Sequence, residues 1–277
     1  MPHWSGRKKA TVMQTREHLL TRLGFRFGSN GSHAARTMML GDLALLFERL
    51  PADAGRAVPA REIVGSNVLG KPTRKARELA LRHLAALYGL DPSLPLFRAL
   101  RRLWAVDDAA RPLLALFVAL ASDPLLRGTR DFILAKRPGE AVSRDELERL
   151  LSARHPGRFS PASLKSFAQN INGTWTQAGF LDGRVRKTRS LPAVAAANVA
   201  FALWLGYLEG RSGQRLFTSS WTELLGCPAD ELEALAGSAS QRGMLVLLNA
   251  GGVKDVRFPG YLTPQEERLR QEASHVV

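Results

Sequence analysis

One cysteine, Cys227, is all the thiol chemistry this chain has. A single thiol closes no disulfide within a chain and builds no thiolate zinc site, and it fits a reducing, cytoplasmic compartment. Acids are scarce too: 25 Asp and Glu face 39 Lys and Arg, for a formal net charge of +14. Such a deficit turns the chain toward polyanions, whether DNA, RNA or an anionic membrane surface. The excess of Arg over Lys carries no weight, because GC-rich coding produces the same bias.

Catalytic signatures are missing as well. The sequence contains no G-x-x-x-x-G-K-[ST], no G-x-G-x-x-G after a strand, no G-x-S-x-G and no H-E-x-x-H. His3, His18, His33, His83, His155 and His275 are scattered without metal-ligand spacing. Asp107 and Asp108 are neighbours, which on a helix point about 100° apart and do not converge on a cation as a metal-dependent nuclease requires. The expectation is a non-enzymatic protein with no catalytic residue, no metal and no cofactor.

Long apolar runs are few. Leu113 to Ala121 is too short to span a bilayer. Residues 191–208 carry no charge and reach the lower length limit for a span, yet they are Ala-rich and include Pro192 and Asn198. A buried core helix is the expected outcome, with no membrane partner. Arg7, Lys8 and Lys9 have no apolar run behind them, so they do not read as a secretory signal.

What is present is helical periodicity and placed positive charge. With 45% apolar residues over 277 positions, the chain can bury more than one core. The expected class is mostly α: a helical, bundle-like domain over 33–122, a winged helix-turn-helix over 123–191, and a second winged-helix-like domain over 192–262. A flexible basic arm over 1–32 and a charged helical tail over 263–277 flank them.

The most informative stretch is 143–190. Ser143 and Glu146 form a capping box that opens one helix, and Ser160 with Pro161 opens a longer one that Gly179 ends. On a period of 3.6, Leu164, Phe167, Ala168, Ile171, Trp175 and Ala178 make a core stripe. The opposite face holds Lys165, Ser166, Gln169, Asn170, Gly173, Thr176 and Gln177, without an acid. Amides pair with adenine edges, and Lys and Ser reach phosphates. Asp182-Gly183 reads as a two-residue hairpin turn, followed by Arg184, Arg186, Lys187 and Arg189 as a basic wing. Arg158, in the loop before the long helix, adds to this surface. The same residues also fit a small helical subdomain with a solvated polar face.

Before this stretch, a helix is expected over Ala34 to Leu50, with Met38 and Met39 in its core. Another is expected from Pro72 to Tyr88, with Lys71, Arg74 and Lys75 at its basic leading end. Single helices are predicted over Asp107 to Ala121 and Pro124 to Lys136. After it, Ser220 and Glu223 read as a second capping box, Asp230 to Ala239 as a helix, and Gly251-Gly252 as a hairpin turn. Asp230, Glu231 and Glu233 on that helix would repel phosphate, so the second winged unit suits protein contact better than DNA.

The segment Val68 to Leu87 (VLGKPTRKARELALRHLAAL) leads into a Leu/Trp-rich helical block. A helix-turn-helix ending Gln177-Ala178-Gly179-Phe180-Leu181 follows, then a hairpin ending Val256-Arg257-Phe258-Pro259. In this order and charge pattern, over about residues 34–262, the chain resembles BrxA, the small helical component of BREX bacteriophage-exclusion systems. The resemblance implies a double-stranded DNA-binding defence accessory protein without enzymatic activity, working beside other defence proteins. The competing readings are a protein–protein adaptor whose charge serves solubility, and an RNA-binding helical protein.

Overall fold

The computed structural model describes residues 14–28, 31–51 and 53–275, and it is mostly helical, with two small two-stranded sheets. In chain order the helices begin with α1 (residues 14–22), α2 (Leu40–Arg49), α3 (Val58–Ala60, continued by a π turn over Arg61–Gly65) and α4 (Arg74–Tyr88). Next come α5 (Pro95–Trp104), α6 (Arg111–Ser122), α7 (Pro124–Arg127), α8 (Arg130–Ala135), α9 (Arg144–Arg154) and α10 (Pro161–Gln177). Strands β1 (Leu181–Asp182) and β2 (Thr188–Arg189) precede α11 (Ala196–Leu208), α12 (Ser220–Glu223) and α13 (Ala229–Gln241). Strands β3 (Val246–Ala250) and β4 (Val253–Arg257) lead to α14 (Pro264–His275).

Contacts group these elements into two compact units, each assembled from separated stretches of chain. One gathers Gly28–Ser93 and Arg111–Ala193; the other gathers the described residues up to Phe27, Leu94–Ala110 and the chain from Val194 onward.

The first unit is built on α6, where every residue from Leu113 to Ser122 is buried. A helix apolar all round has to be enclosed, and α4 and α10 pack against this one. Three expected helices differ in extent. The segment before α2 is not helical throughout, because Met39 adopts the left-handed conformation (φ 53°) immediately before Leu40. Both Met38 and Met39 are nevertheless core residues. Helix α4 begins at Arg74, since Thr73 is its N-cap and accepts from the Ala76 amide at 3.1 Å. The single helix expected over Pro124 to Lys136 is broken at Gly128-Thr129 into α7 and α8. There the Thr129 hydroxyl donates to the Leu126 carbonyl and accepts from the Trp175 indole at 3.0 Å, tying the break to α10.

In the second unit, α11 is the central element, with every residue but Tyr207 buried, and α5, α12 and α13 pack on it. Its one polar intruder, Asn198, is satisfied: it accepts from the Ala195 amide and donates to the Ala110 carbonyl, both at 2.9 Å. At 13 residues α11 falls short of the roughly 20 needed to cross a bilayer, and no single helix among the described residues is long and apolar enough to do so. Residues 14–27, expected to be part of a loose arm, are packed instead: Leu19, Leu20, Leu23 and Phe25 are buried, and the Leu96 amide donates to the Leu23 carbonyl. The basic patch Arg7 to Lys9 lies outside the described residues. Helix α12 is capped by Ser219 and not by the expected Ser220–Glu223 box. The β3–β4 hairpin turns on Gly251-Gly252, with Ala250 opposite Val253.

Candidate nucleic-acid interface

The elements 139–142, α9, α10 and the β1–β2 hairpin form one connected surface of the first unit. Helix α9 opens with the expected capping box: Ser143 Oγ accepts from the Glu146 amide, and Glu146 accepts from the Ser143 amide. Lys136 also donates to Glu146 at 2.8 Å. This contact, together with the Ser143 hydrogen bonds, outweighs desolvation and holds the Glu146 carboxyl down at about 2. Helix α10 opens at Ser160, whose hydroxyl accepts from the Ser163 amide, and closes before Gly179 at φ +82°. Of the expected core stripe, Phe167, Ala168, Ile171, Trp175 and Ala178 are buried and Leu164 is half-buried. Two polar residues missing from that stripe, Asn172 and Thr174, are buried as well.

Thr174 belongs to an internal relay. His33 bridges Asp123 Oδ2 and Thr174 Oγ1, each at 2.8 Å, and Thr174 Oγ1 also accepts from the Met38 amide. His33, Asp123 and Thr174 are all fully buried, so the relay acts on the fold, clamping the segment before α2 onto α10. Burial pushes the Asp123 carboxyl up, but hydrogen bonds from His33 and from the Leu126 amide prevail and leave it below its ordinary value. Gly173 lets this segment pass close: a Cβ there would meet Thr37 at 2.8 Å.

The hairpin differs from the two-residue turn expected at Asp182-Gly183. Asp182 pairs with Thr188, so the loop is Gly183 to Lys187, five residues carrying three cations. Asp182 accepts from the Gly183 amide through its own side chain, and Gly183 sits at φ +94°. On its far side β2 is held by 139–142: the Val142 amide donates to the Lys187 carbonyl and the Arg189 amide to the Glu140 carbonyl.

This arrangement sorts the sequence-predicted residues. Arg184 and Arg186 are exposed and make no ion pair among the described residues; Lys187 is half-buried and donates to the Gly183 carbonyl. Arg189 is only 6% exposed. Its guanidinium donates inward to the carbonyls of Ile133, Phe180 and Ser190 and lies over the Phe180 ring. It is therefore withdrawn from the expected phosphate-binding set. On α10, Lys165, Gln169 and Gln177 are exposed and Ser166 is half-buried. Asn170 spends its amide on the His33 carbonyl, and Thr176 donates back to the Asn172 carbonyl. Arg158 is exposed and stacks over Phe159 at 4.8 Å. At the start of α4, Lys71 pairs with Asp42 at 2.8 Å and Arg74 with Glu78 at 2.9 Å, while Lys75 is exposed.

Between the hairpin loop and α10 lies a cleft of about 580 Å³. Arg184, Val185, Arg186 and Lys187 form one wall; Gln169, Asn172 and Gly173 form the other; Ser143 and Arg144 stand at its end. The cations of the loop and the exposed amide of Gln169 thus share one concave surface, whereas Lys71, Arg74 and Lys75 do not line it. Sequence patterning passed over Asn172 and Val185. Asn172 falls between the two helix faces, and an apolar loop residue gives no periodic signal.

No family model and no curated relative match the chain. Solved structures do: a magnesium-bound SspB covers 92% of this chain and 99% of its own at 11% identity and a TM-score of 0.51. A second SspB structure covers 93% and 100% at 10% identity, also with a TM-score of 0.51. At such identity the likeness is one of fold. Among the described residues, no group of three or more His, Cys, Asp or Glu gathers to hold a metal ion.

Proposed function

We propose that this chain is a non-enzymatic double-stranded DNA-binding protein, an accessory component of a bacterial phage-defence system as the BrxA resemblance implies. The observation that carries the DNA reading is the single cleft shared by the cations of the 183–187 loop and the polar, acid-free face of α10. The order α7–α8, the bridge at Ala141, α9, α10, β1, β2 fits a winged helix-turn-helix, in which α10 would enter the major groove and the loop would track the backbone. Arg184, Arg186, Lys187, Lys165, Arg158 and Lys75 would supply the phosphate contacts, and Gln169 and Gln177 the base contacts.

Duplex binding by the whole chain across a salt series tests this. About six phosphate contacts give a slope of log K on log salt near −5. Duplex DNA should also compete better than duplex RNA or single strands. Binding that ignores salt, or that favours RNA, removes the reading.

An adaptor role is supported at the other unit. There α13 carries Asp230, Glu231 and Glu233, and the β3–β4 hairpin exposes Leu248 (50%) and Val253 (73%). Co-purification of a protein partner that is lost on changing Leu248 and Val253 to Ser would establish that contact.

A further inference from the structure

One residue lining the cleft between the loop and α10 carries a polar atom that a DNA backbone does not satisfy. Asn172 is 8% exposed, it lines the cleft, and its amide oxygen Oδ1 is buried without a hydrogen-bond partner. An orphaned buried acceptor is costly and marks a place where a donor belongs. A phosphodiester carries only acceptors, so the backbone cannot supply that donor. The bases can, since each presents an N–H on its pairing edge.

The opposite wall strengthens the case. Val185, at the loop, is 96% exposed and lies between the guanidinium-bearing Arg184 and Arg186, which make no ion pair among the described residues. An apolar side chain flanked by cations is the kind of wedge that enters a base step while its neighbours hold the phosphates on either side. Asn172 is too deeply set to reach a base edge that stays stacked in a duplex, whereas the cleft volume suits a single nucleotide.

We infer that the cleft is a receptor for one unstacked nucleotide, with its phosphate on Arg184, Arg186 and Lys187 and an N–H of its base on Asn172 Oδ1. The inference rests on the DNA-binding reading of the same surface and adds to it a preference for DNA with a displaced base. Unstacking is costly in a paired duplex and easiest where pairing is already lost. The ligand class is therefore a bulged, mismatched or terminal nucleotide.

The test compares three duplexes of one sequence: fully paired, with a single-nucleotide bulge, and with an abasic bulge. Each is titrated against the whole chain and against its Asn172→Leu and Val185→Ala variants, with free dAMP as a separate arm. The bulged base should bind on the order of tenfold more tightly than the abasic bulge, the size of one well-made hydrogen bond. N172L, which removes an unsatisfied group and so should fold as well as the parent by thermal melting, should erase that ratio and leave paired-duplex affinity unchanged. V185A should lessen the preference for the bulge over the paired duplex. Saturable binding of dAMP that N172L abolishes would also support the receptor. Equal binding of base-bearing and abasic bulges, with salt-dependent duplex binding intact, would overturn the inference and spare the DNA reading. Absence of binding to every duplex and to dAMP would overturn both.

Discussion

At the scale of single residues, three polar groups carry opposite duties. Arg189 looks from the sequence like the fourth cation of a basic loop, but its guanidinium is spent on internal carbonyls. Changing Arg189 to Ala should strand those acceptors at about 1–3 kcal/mol each. The melting temperature should then fall sharply, while the salt slope of binding for the folded fraction stays as it was. Asp123 is the anchor of the buried relay, and removing one member of a buried pair costs roughly 3–5 kcal/mol. Its carboxyl titrates lower in the fold than when unfolded, so its contribution is complete above the ordinary carboxyl value of 3.8 and drains away as pH falls through the lower folded value. Denaturation of Asp123→Asn should therefore differ most from the parent at neutral pH, with the gap closing in acid. Glu146 follows the same sign over a measurable window. Its share is intact above 4.5 and lost toward about 2. Melting curves of Glu146→Gln and the parent should converge between those values, with a modest separation above them because the group is partly exposed and solvent screens it.

At the scale of elements, the five-residue loop is the active part of the DNA reading. The triple change Arg184→Ala, Arg186→Ala and Lys187→Ala should flatten the slope of log K on log salt by about 2.7 units, three phosphate contacts at ~0.9 each. Arg74→Ala should leave it nearly unchanged, since Glu78 already engages that guanidinium. Much of this element was legible in the sequence. The caps at Ser143 and Ser160, the stop at Gly179 and the apolar stripe of α10 all follow local chemistry that periodicity and residue type report. The loop length was not legible, because Asp182-Gly183 satisfies the local rule for a tight turn. What decides the register is the pairing of β2 with 139–142, where Ala141 bridges Thr188 from 47 residues upstream, a contact no local pattern records. The orphan at Asn172 was hidden for the same reason: its isolation depends on what surrounds it, not on its place in α10.

At the scale of the whole molecule, the mostly helical class followed from composition and spacing, and α11 lies buried in the core, as its apolar, Asn-containing run implied. The partition into units did not follow, since each unit joins stretches that lie far apart in sequence. Residues 14–27 illustrate why. Their Gly-rich exit resembles a linker, yet their leucines are buried through contacts with chain from residue 94 onward.

That interleaving bears on how the protein is made. A ribosome delivers the chain from its first residue, so the α10 unit has all its parts once Ala193 has emerged. The unit containing Leu19 and Leu23 must wait for the last third of the message. Until then, the earliest apolar residues to appear have only the Leu94–Ala110 stretch of their unit to pack on, and slow translation or a stalled nascent chain would leave them open to chaperones.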